Sequence, residues 1–404
     1  MPAANAVPIV SQLTDPGGHV IASITGMKKG PTLIVIGSIH GNEPAGAIAA
    51  RRIVPALQRM RISLSGEVVL LSGNTRALAR GLRYVDTDLN RLWTQENVAR
   101  LRASDGFDQI KSEEREVGEL LEQFAEVAAR ATGEIYYLDL HTTSAHGAHF
   151  ATVGDTLRNR KFAIKFPTTI VLGLEEQIEG TMNEYLNNLG AVTMGFEAGQ
   201  HESLMSVEHD EAVIWIALVS AGLLSREDTP EYERSLVLLA ARSGGTRIVE
   251  VRHRHAISPD DEFKMEPAFE NFQTVKRGQV LARDNKGPIK AIESGMVLLP
   301  LYQRLGDDGF FLGRTVKPFW LKLSALLRRM KVGDYVHLLP GVRRQTMDSS
   351  SLTVDTRIAR ILPLQVFHLL GFRKLRWAKN VLIVNRRRYD LAGPEKRLNK
   401  EIHQ

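Results

Sequence analysis

The sequence predicts an α/β fold: a larger domain built on a mixed central sheet, followed by a smaller all-β module. Three observations carry the prediction. Up to about residue 245, apolar runs of strand length alternate with segments of helical periodicity. Near Gly244 the pattern changes to short period-two runs punctuated by Gly, Pro and Asp. The chain's 404 residues leave room for two domains and an extension.

Taken in order, "LIVIGSI" (33–39) is a β-branched apolar run, read as a buried strand. Asn42 then reads as a helix N-cap, and Pro44 suits the first turn, where its missing N–H costs nothing. "AGAIAARRIVPALQRM" (45–60) reads as the helix, which Pro55 should end or kink. "GEVVLLSG" (66–73) is a second strand. Residues 110–131 place Val117, Leu120, Leu121, Phe124 and Val127 at helical spacing. "EIYYLDLH" (134–141), "TTIVLGL" (168–174) and "AVTMGFEAG" (191–199) read as strands, and "DEAVIWIALVSAGLL" (210–224) as an amphipathic helix. Beyond Gly244, "TRIVEVRHRHAIS", "GQVLARD", "PIKAIES" and "GMVLLPLYQ" are the β-type runs of the second module. The division expected is therefore 1–245, 246–325 and a basic C-terminal extension, 326–404.

Composition narrows the chemistry. Hydrophobic residues make up 43% and charged residues 24%, as in ordinary soluble domains. There is no cysteine, so disulfides and thiolate ligands are excluded and any metal must be held by His, Asp or Glu. The N-terminal "MPAANAVPIVSQLTDPGG" lacks the regions of a signal peptide, and no run approaches the ~18 apolar residues of a membrane span. A cytoplasmic location is expected. Residues 326–404 hold 17 Lys+Arg against 6 Asp+Glu, so the net charge of +6 belongs to the extension. Arg386, Arg387 and Arg388 would suit nucleic acid or an anionic membrane surface. The preferred alternative is a packed extension or an oligomer contact, since no nucleic-acid motif is present and aromatics are 6% of the chain. Neither a nucleic-acid nor a membrane partner is expected; a homo-oligomer stays open.

Four polar clusters fall at or just after the C-terminal ends of predicted strands, where open α/β sheets place their sites. His40 and Glu43 lie in "GSIHGNEPAG". Without thiolates, His plus carboxylate is the natural zinc set, and an open fourth position makes such a site catalytic. The alternative is a capping turn with two unrelated polar side chains. His141 ends "YYLDL" and is a candidate third ligand. Period-two geometry puts Asp139 on its face, so Asp139 either orients a metal-bound imidazole or satisfies an ordinary buried histidine. "RYVDTDLNR" carries Arg83, Asn90 and Arg91: either guanidinium forks for a carboxylate and a carbonyl, or surface ion pairs with Asp86 and Asp88. Glu197, in "MGFEAGQH", suits a general base beside a metal, or a turn cap.

In this order, "HGNE", "DTDLNR", "DLHTT" and "FEAG" resemble the succinylglutamate desuccinylase/aspartoacylase family, which is similar in fold to the zinc carboxypeptidases. The resemblance covers about residues 30–325, including "FKMEPAFENFQTVKRGQVLARD" and "LYQRLGDDGFFLG". It implies a zinc-carboxypeptidase-like domain with one zinc per chain, held by His40, Glu43 and His141. It further implies Glu197 as base toward a zinc-activated water, Arg83 as stabiliser of the oxyanion, and Asn90 and Arg91 as holders of the substrate carboxylate. The activity implied is hydrolysis of the amide of a small N-acyl amino acid. A metallocarboxypeptidase acting on peptides and a non-catalytic zinc-containing binding protein are the alternatives.

Two positions depart from the family pattern. Asn187 stands where aspartoacylases place an arginine, and "DDGFF" offers Phe310 where they use a tyrosine. Losing a cation and a hydroxyl weakens the case for N-acetylaspartate, because a buried carboxylate needs paired charge. His201 and His209 follow "FEAG" and are candidates for shaping a different pocket, His209 also for a purely structural place. The β module resembles a biotinyl/lipoyl-type barrel without a modifiable lysine context. It is read as a lid, with "GDDGFF" as its contact.

Overall fold

The computed structural model describes residues 18–103, 111–243, 245–303, 305–345, 350–359, 364–378 and 380–394. Residues 1–17, most of the stretch without a leader pattern, lie outside them.

The first domain opens with β1 (Val20–Thr25), β2 (Lys28–Gly37), α1 (Ala45–Arg59), β3 (Ser65–Ser72), α2 (Thr75–Leu78), α3 (Gln95–Ala103) and α4 (Ser112–Arg130). It continues with β4 (Ile135–Thr143), β5 (Phe150–Val153), α5 (Leu157–Ala163), β6 (Thr169–Leu172), α6 (Met182–Asn188), β7 (Val192–Gln200), α7 (Leu204–Ser220) and α8 (Pro230–Ser243). Alternation along β2 shows why it is central. Leu33 and Val35 join the core under α1 and α7, while Ile34 and Ile36 join the core under α4 and α6. A strand buried on both faces needs the continuous apolar run seen in the sequence. Within the sheet, β3, β2, β4 and β7 are neighbours in that order and parallel.

Two local expectations are corrected. Asn42 does not cap α1; the helix begins after Pro44 with no side-chain cap, and Asn42 Nδ2 instead donates to Gln303 Oε1 at 3.3 Å. Nor does Pro55 end α1, which runs on to Arg59. Pro55 lies on the exposed face of the helix, where one missing backbone bond costs least.

The next segment supplies β8 (Ile248–Ala256), β9 (Lys264–Met265), β10 (Thr274–Val275), β11 (Val280–Asp284), β12 (Gly287–Lys290), β13 (Gly295–Leu298) and β14 (Asp308–Thr315). It is all-β, as its period-two runs predict, but it is not detached from the first domain. β8 pairs in parallel with β6, and β14, β13 and β10 continue the same sheet in order; β9, β11 and β12 form a small sheet of their own. This continuity carries the loop between β13 and β14 over the ends of the parallel strands.

The basic extension folds as well. Helix α9 (Pro318–Arg329) leads into β15 (Val342–Arg344), β16 (Ser351–Asp355), α10 (Leu364–Leu369), β17 (Phe372–Ala378) and β18 (Val381–Arg386). Val354, Phe367, Phe372 and Val384 form its core. Several of its cations are spent on neighbours: Arg328 reaches Asp155 at 2.8 Å, Arg387 grips Glu175 and Glu176, Arg373 pairs with Glu184 and Arg386 with Asp334, while Arg388 is exposed. No described helix is long and apolar enough to cross a membrane.

His368 pins this unit with both ring nitrogens, Nε2 donating to Glu176 at 2.8 Å and Nδ1 to Glu250 at 3.3 Å. Burial opposes its charge, but Glu176 and Glu250 outweigh that and lift its pKa to about 9. Because the folded value lies above the ordinary ~6.5, the stabilisation is whole below that pH and is lost as pH rises through about 9. The full effect is about 3 kcal/mol in order of magnitude. Thermal melts across this window should show a steeper loss of stability in the wild type than in His368→Gln; equal slopes would refute the pairing.

Candidate active site

The site forms because three neighbouring parallel strands end together. The β2–β4 register pairs Gly37 with Leu140, and the β4–β7 register pairs His141 with Glu197. His141 and Glu197 therefore leave the sheet at one level, and the turn after β2 adds His40 and Glu43 beside them. That turn is tightly seated. A Cβ on Gly37 would lie 2.4 Å from the Ala47 nitrogen, so only glycine lets α1 start this close to the strand end. Ser38 follows with a φ of 60°, and its hydroxyl donates to the Glu43 carbonyl at 3.1 Å. A non-glycine residue held at positive φ beside a polar cluster marks backbone strain at a candidate site.

Glu43 is the hub. His40 Nδ1 lies 2.9 Å from its Oε1 and His141 Nδ1 3.2 Å from its Oε2, and the Thr142 amide donates to Oε2 at 3.0 Å. The outer nitrogens turn away: His141 Nε2 sits 3.1 Å from Asp139 Oδ2, and His40 Nε2 sits 3.2 Å from Asp88 Oδ1 and 3.0 Å from Arg83 Nη2. One ligand-type atom from each of His40, Glu43 and His141 falls within 4.8 Å of the others. Two imidazole Nδ1 atoms and a carboxylate, with both outer nitrogens facing aspartates, fit a divalent metal held with an open position. Asp139 in turn accepts from Asn183 Nδ2 at 3.0 Å, which fixes it for that contact.

His19, Glu116 and Glu119 also cluster at metal-ligand spacing. There Arg76 spans both carboxylates, at 2.9 and 2.7 Å, so part of their charge is already neutralised, and the group lies outside the cavity that His40 and His141 line.

The remaining sequence candidates converge on a cavity of about 170 Å³ that His40, Glu43, Arg83, Asn90, Arg91, His141, Glu197 and His201 all help to line. Arg83 donates to Glu43 Oε1 at 3.3 Å and to Asp88 Oδ2 at 3.2 Å. Asn90 Oδ1 accepts from the Met182 amide at 2.9 Å, which ties it to α6. Arg91 donates to the Asn90 carbonyl at 3.0 Å and to Asp308 Oδ2 at 3.1 Å. Glu197 keeps Oε2 buried with no hydrogen-bond partner among the described residues. Burial lifts its carboxyl to about 8; His141 pulls against this, and Glu43 and Asp139 add to it.

Other candidates fall outside. Asn187 spends its Oδ1 on Asn159 Nδ2 at 2.8 Å and does not line the cavity. Phe310 is buried in the β module, stacked on His255 with ring centroids 5.0 Å apart, and alternation along β14 turns Phe311 to the cavity instead. His209 donates from Nδ1 to the Ala198 carbonyl at 2.8 Å and packs edge-on against His149, a structural place. The expected lid contact is present, as Leu299, Gln303, Asp307 and Asp308 border the cavity.

Sequence reasoning missed Asp88 as a partner of His40, and Asn183 and Glu175 as cavity residues. Asp88 sits within the quoted "DTDLNR", but the others are brought in by tertiary contacts with no local signal. It also missed Asp210, whose two carboxyl oxygens are buried without partners near the site. Burial holds its pKa well above the ordinary range, with His141 opposing and Glu197 and Glu43 adding.

Residues 29–221 match the model of the succinylglutamate desuccinylase/aspartoacylase catalytic domain. A succinylglutamate desuccinylase of Pseudomonas putida is 33% identical over 115 residues, 28% of this chain and 31% of that protein. One from Pseudomonas aeruginosa is 29% identical over 127 residues, 31% of this chain and 35% of the relative. The match thus spans about a third of the length of these curated relatives. A crystal structure of a succinylglutamate desuccinylase/aspartoacylase from Rhodobacter sphaeroides covers 73% of this chain and 88% of its own, with a TM-score of 0.54 at 19% identity. A product-bound ectoine utilization protein from Ruegeria pomeroyi covers the same shares, with a TM-score of 0.53 at 18% identity. Likeness at that identity speaks for the fold alone. The sequence match and the fold agree: over residues 29–221 the chain matches the succinylglutamate desuccinylase/aspartoacylase catalytic-domain family.

Proposed function

We propose that the protein is a zinc-dependent hydrolase that cleaves the amide bond of a small N-acyl amino acid. The observation that carries this reading is the shared grip of His40 and His141 on Glu43, with the unpartnered Glu197 carboxylate in the same cavity. Zinc held by His40, Glu43 and His141 would supply Lewis acidity and lower the pKa of a water toward about 7.

The other steps belong to the protein. Glu197 takes a proton as the water oxygen attacks the amide carbonyl carbon. The C–N bond then breaks, and Glu197 returns that proton to the leaving amine nitrogen. Arg83 directs its guanidinium at the oxygen on which charge develops, usually the largest single catalytic contribution. Asn90 and Arg91 orient the substrate carboxylate, Arg91 exchanging its Asp308 partner for the ligand. Asp139 and Asp88 keep the imidazoles turned inward. We assign residues 1–245 to the catalytic domain and 246–325 to the module that borders its cavity.

A cavity of about 170 Å³ favours a small substrate over a peptide. Zinc-loaded protein should therefore turn over a panel of N-acyl amino acids with kcat/KM roughly tenfold or more above that for dipeptides. The reverse order in a chromatographic hydrolysis assay would select the carboxypeptidase reading.

A further inference from the structure

The cavity's selectivity should differ from that of an enzyme built for acidic side chains, and the reason lies at its far wall. Glu175, on the short 3₁₀ turn Leu174–Glu176, lines the cavity together with Arg91, Asp307 and Asp308. It also lines a small adjoining cleft of about 30 Å³ with Asn187 and Arg387. Where a cation from position 187 would face the substrate, Asn187 is neutral and bonded to Asn159. A cation from just beyond β18, Arg387, stands behind Glu175 instead. Arg387 Nη1 donates to Glu175 Oε1 at 2.7 Å, and Nη2 donates to Glu176 Oε1 at 2.5 Å. Glu175 Oε2 is left buried with no hydrogen-bond partner among the described residues.

The two aspartates of the lid loop point the same way. Asp308 sits on Arg91 at 3.1 Å and Asp307 approaches it at 3.9 Å, so part of the cation meant for substrate is already neutralised. A second substrate carboxylate would meet the unpartnered Glu175 Oε2, a like-charge contact with no donor to offset it. A substrate ammonium would instead give Glu175 Oε2 the donor it lacks.

We propose that Glu175, braced by Arg387, is the specificity-determining residue of the cavity and receives a positively charged nitrogen of the substrate, which is thus an N-acyl diamino acid. The C-terminal extension then has a reason to dock here: it fixes the rotamer of the selecting carboxylate without entering the cavity.

This inference rests on the deacylase reading, so its test has an arm independent of turnover. With the zinc-loaded full chain, kcat/KM is compared for Nα-acetylornithine, N-acetylnorleucine (of similar shape but uncharged) and N-acetylaspartate. The charged amine should lead the uncharged one by roughly ten- to a hundredfold, with N-acetylaspartate last. Glu175→Gln should collapse that ratio toward one, chiefly through KM, and Glu175→Asp should keep most of it. A ratio unchanged in Glu175→Gln, or a lead for N-acetylaspartate, overturns the inference. If no acyl substrate is cleaved, the deacylase reading fails separately. Calorimetric binding of free ornithine against norleucine then decides the subsite: tighter ornithine binding that disappears in Glu175→Gln supports it, and equal affinity overturns it.

Discussion

Replacing Glu197 with glutamine lowers kcat by roughly two to four orders of magnitude while the metal stays bound. The substitution keeps the shape of the side chain and removes only its ability to take up a proton. The carboxylates that touch His40 and His141 have other contacts to hold. The Glu43 carboxylate is committed to His40, His141 and the Thr142 amide, Asp139 is committed to His141 and Asn183, and Asp88 to Arg83, His40 and the Asn90 amide. Glu197 lines the cavity beside Glu43 with Oε2 unbonded, and burial lifts it to about 8, near the value at which a group can both accept and return a proton. Steady-state kinetics with metal analysis by plasma emission checks the result. Turnover close to wild type would remove the proposed mechanism and favour a binding protein. Loss of the metal would instead recast Glu197 as a ligand.

His141→Ala should abolish both metal binding and activity, taking the zinc content from about one per chain to near zero. Three ligands are the fewest that hold a catalytic zinc with an open position, so losing one is not made good by the other two. Asp139→Asn is the informative companion. It leaves the ligands in place but replaces the acceptor 3.1 Å from His141 Nε2, and metal affinity should fall about 10- to 100-fold rather than vanish. Equilibrium dialysis against a zinc buffer separates the two outcomes. Stoichiometric zinc in His141→Ala would mean that the metal sits elsewhere, with His19, Glu116 and Glu119 the next set to test.

Much of the site was legible because its chemistry is local in sequence. His40 and Glu43 share one turn, Asp139 and His141 share one strand face, and Glu197 follows the apolar run that announces its strand. The periodicity that marks β2, β4 and β7 also marks where their C-terminal ends lie. Local signals failed where a competing contact decided the outcome. Asn42 has the chemistry of a cap, yet its amide went to Gln303 on the lid loop. Phe310 and Phe311 are adjacent and alike, and only the register of β14 against β8 decides which one faces the cavity.

The sequence by itself determined the α/β class, the strand ends that carry ligand-type residues, and the absence of thiolate chemistry. These follow from period-two and helical spacing and from composition, which are properties of short stretches. Only the tertiary structure decided the far wall of the cavity. Glu175 comes from a turn after β6, Asp308 from the start of β14 and Arg387 from just beyond β18, and they meet because β8 extends the central sheet and the basic extension folds back onto it. Charges from segments separated by up to 212 residues acquire a common purpose only through packing, since buried ionic groups must find partners wherever the fold brings them.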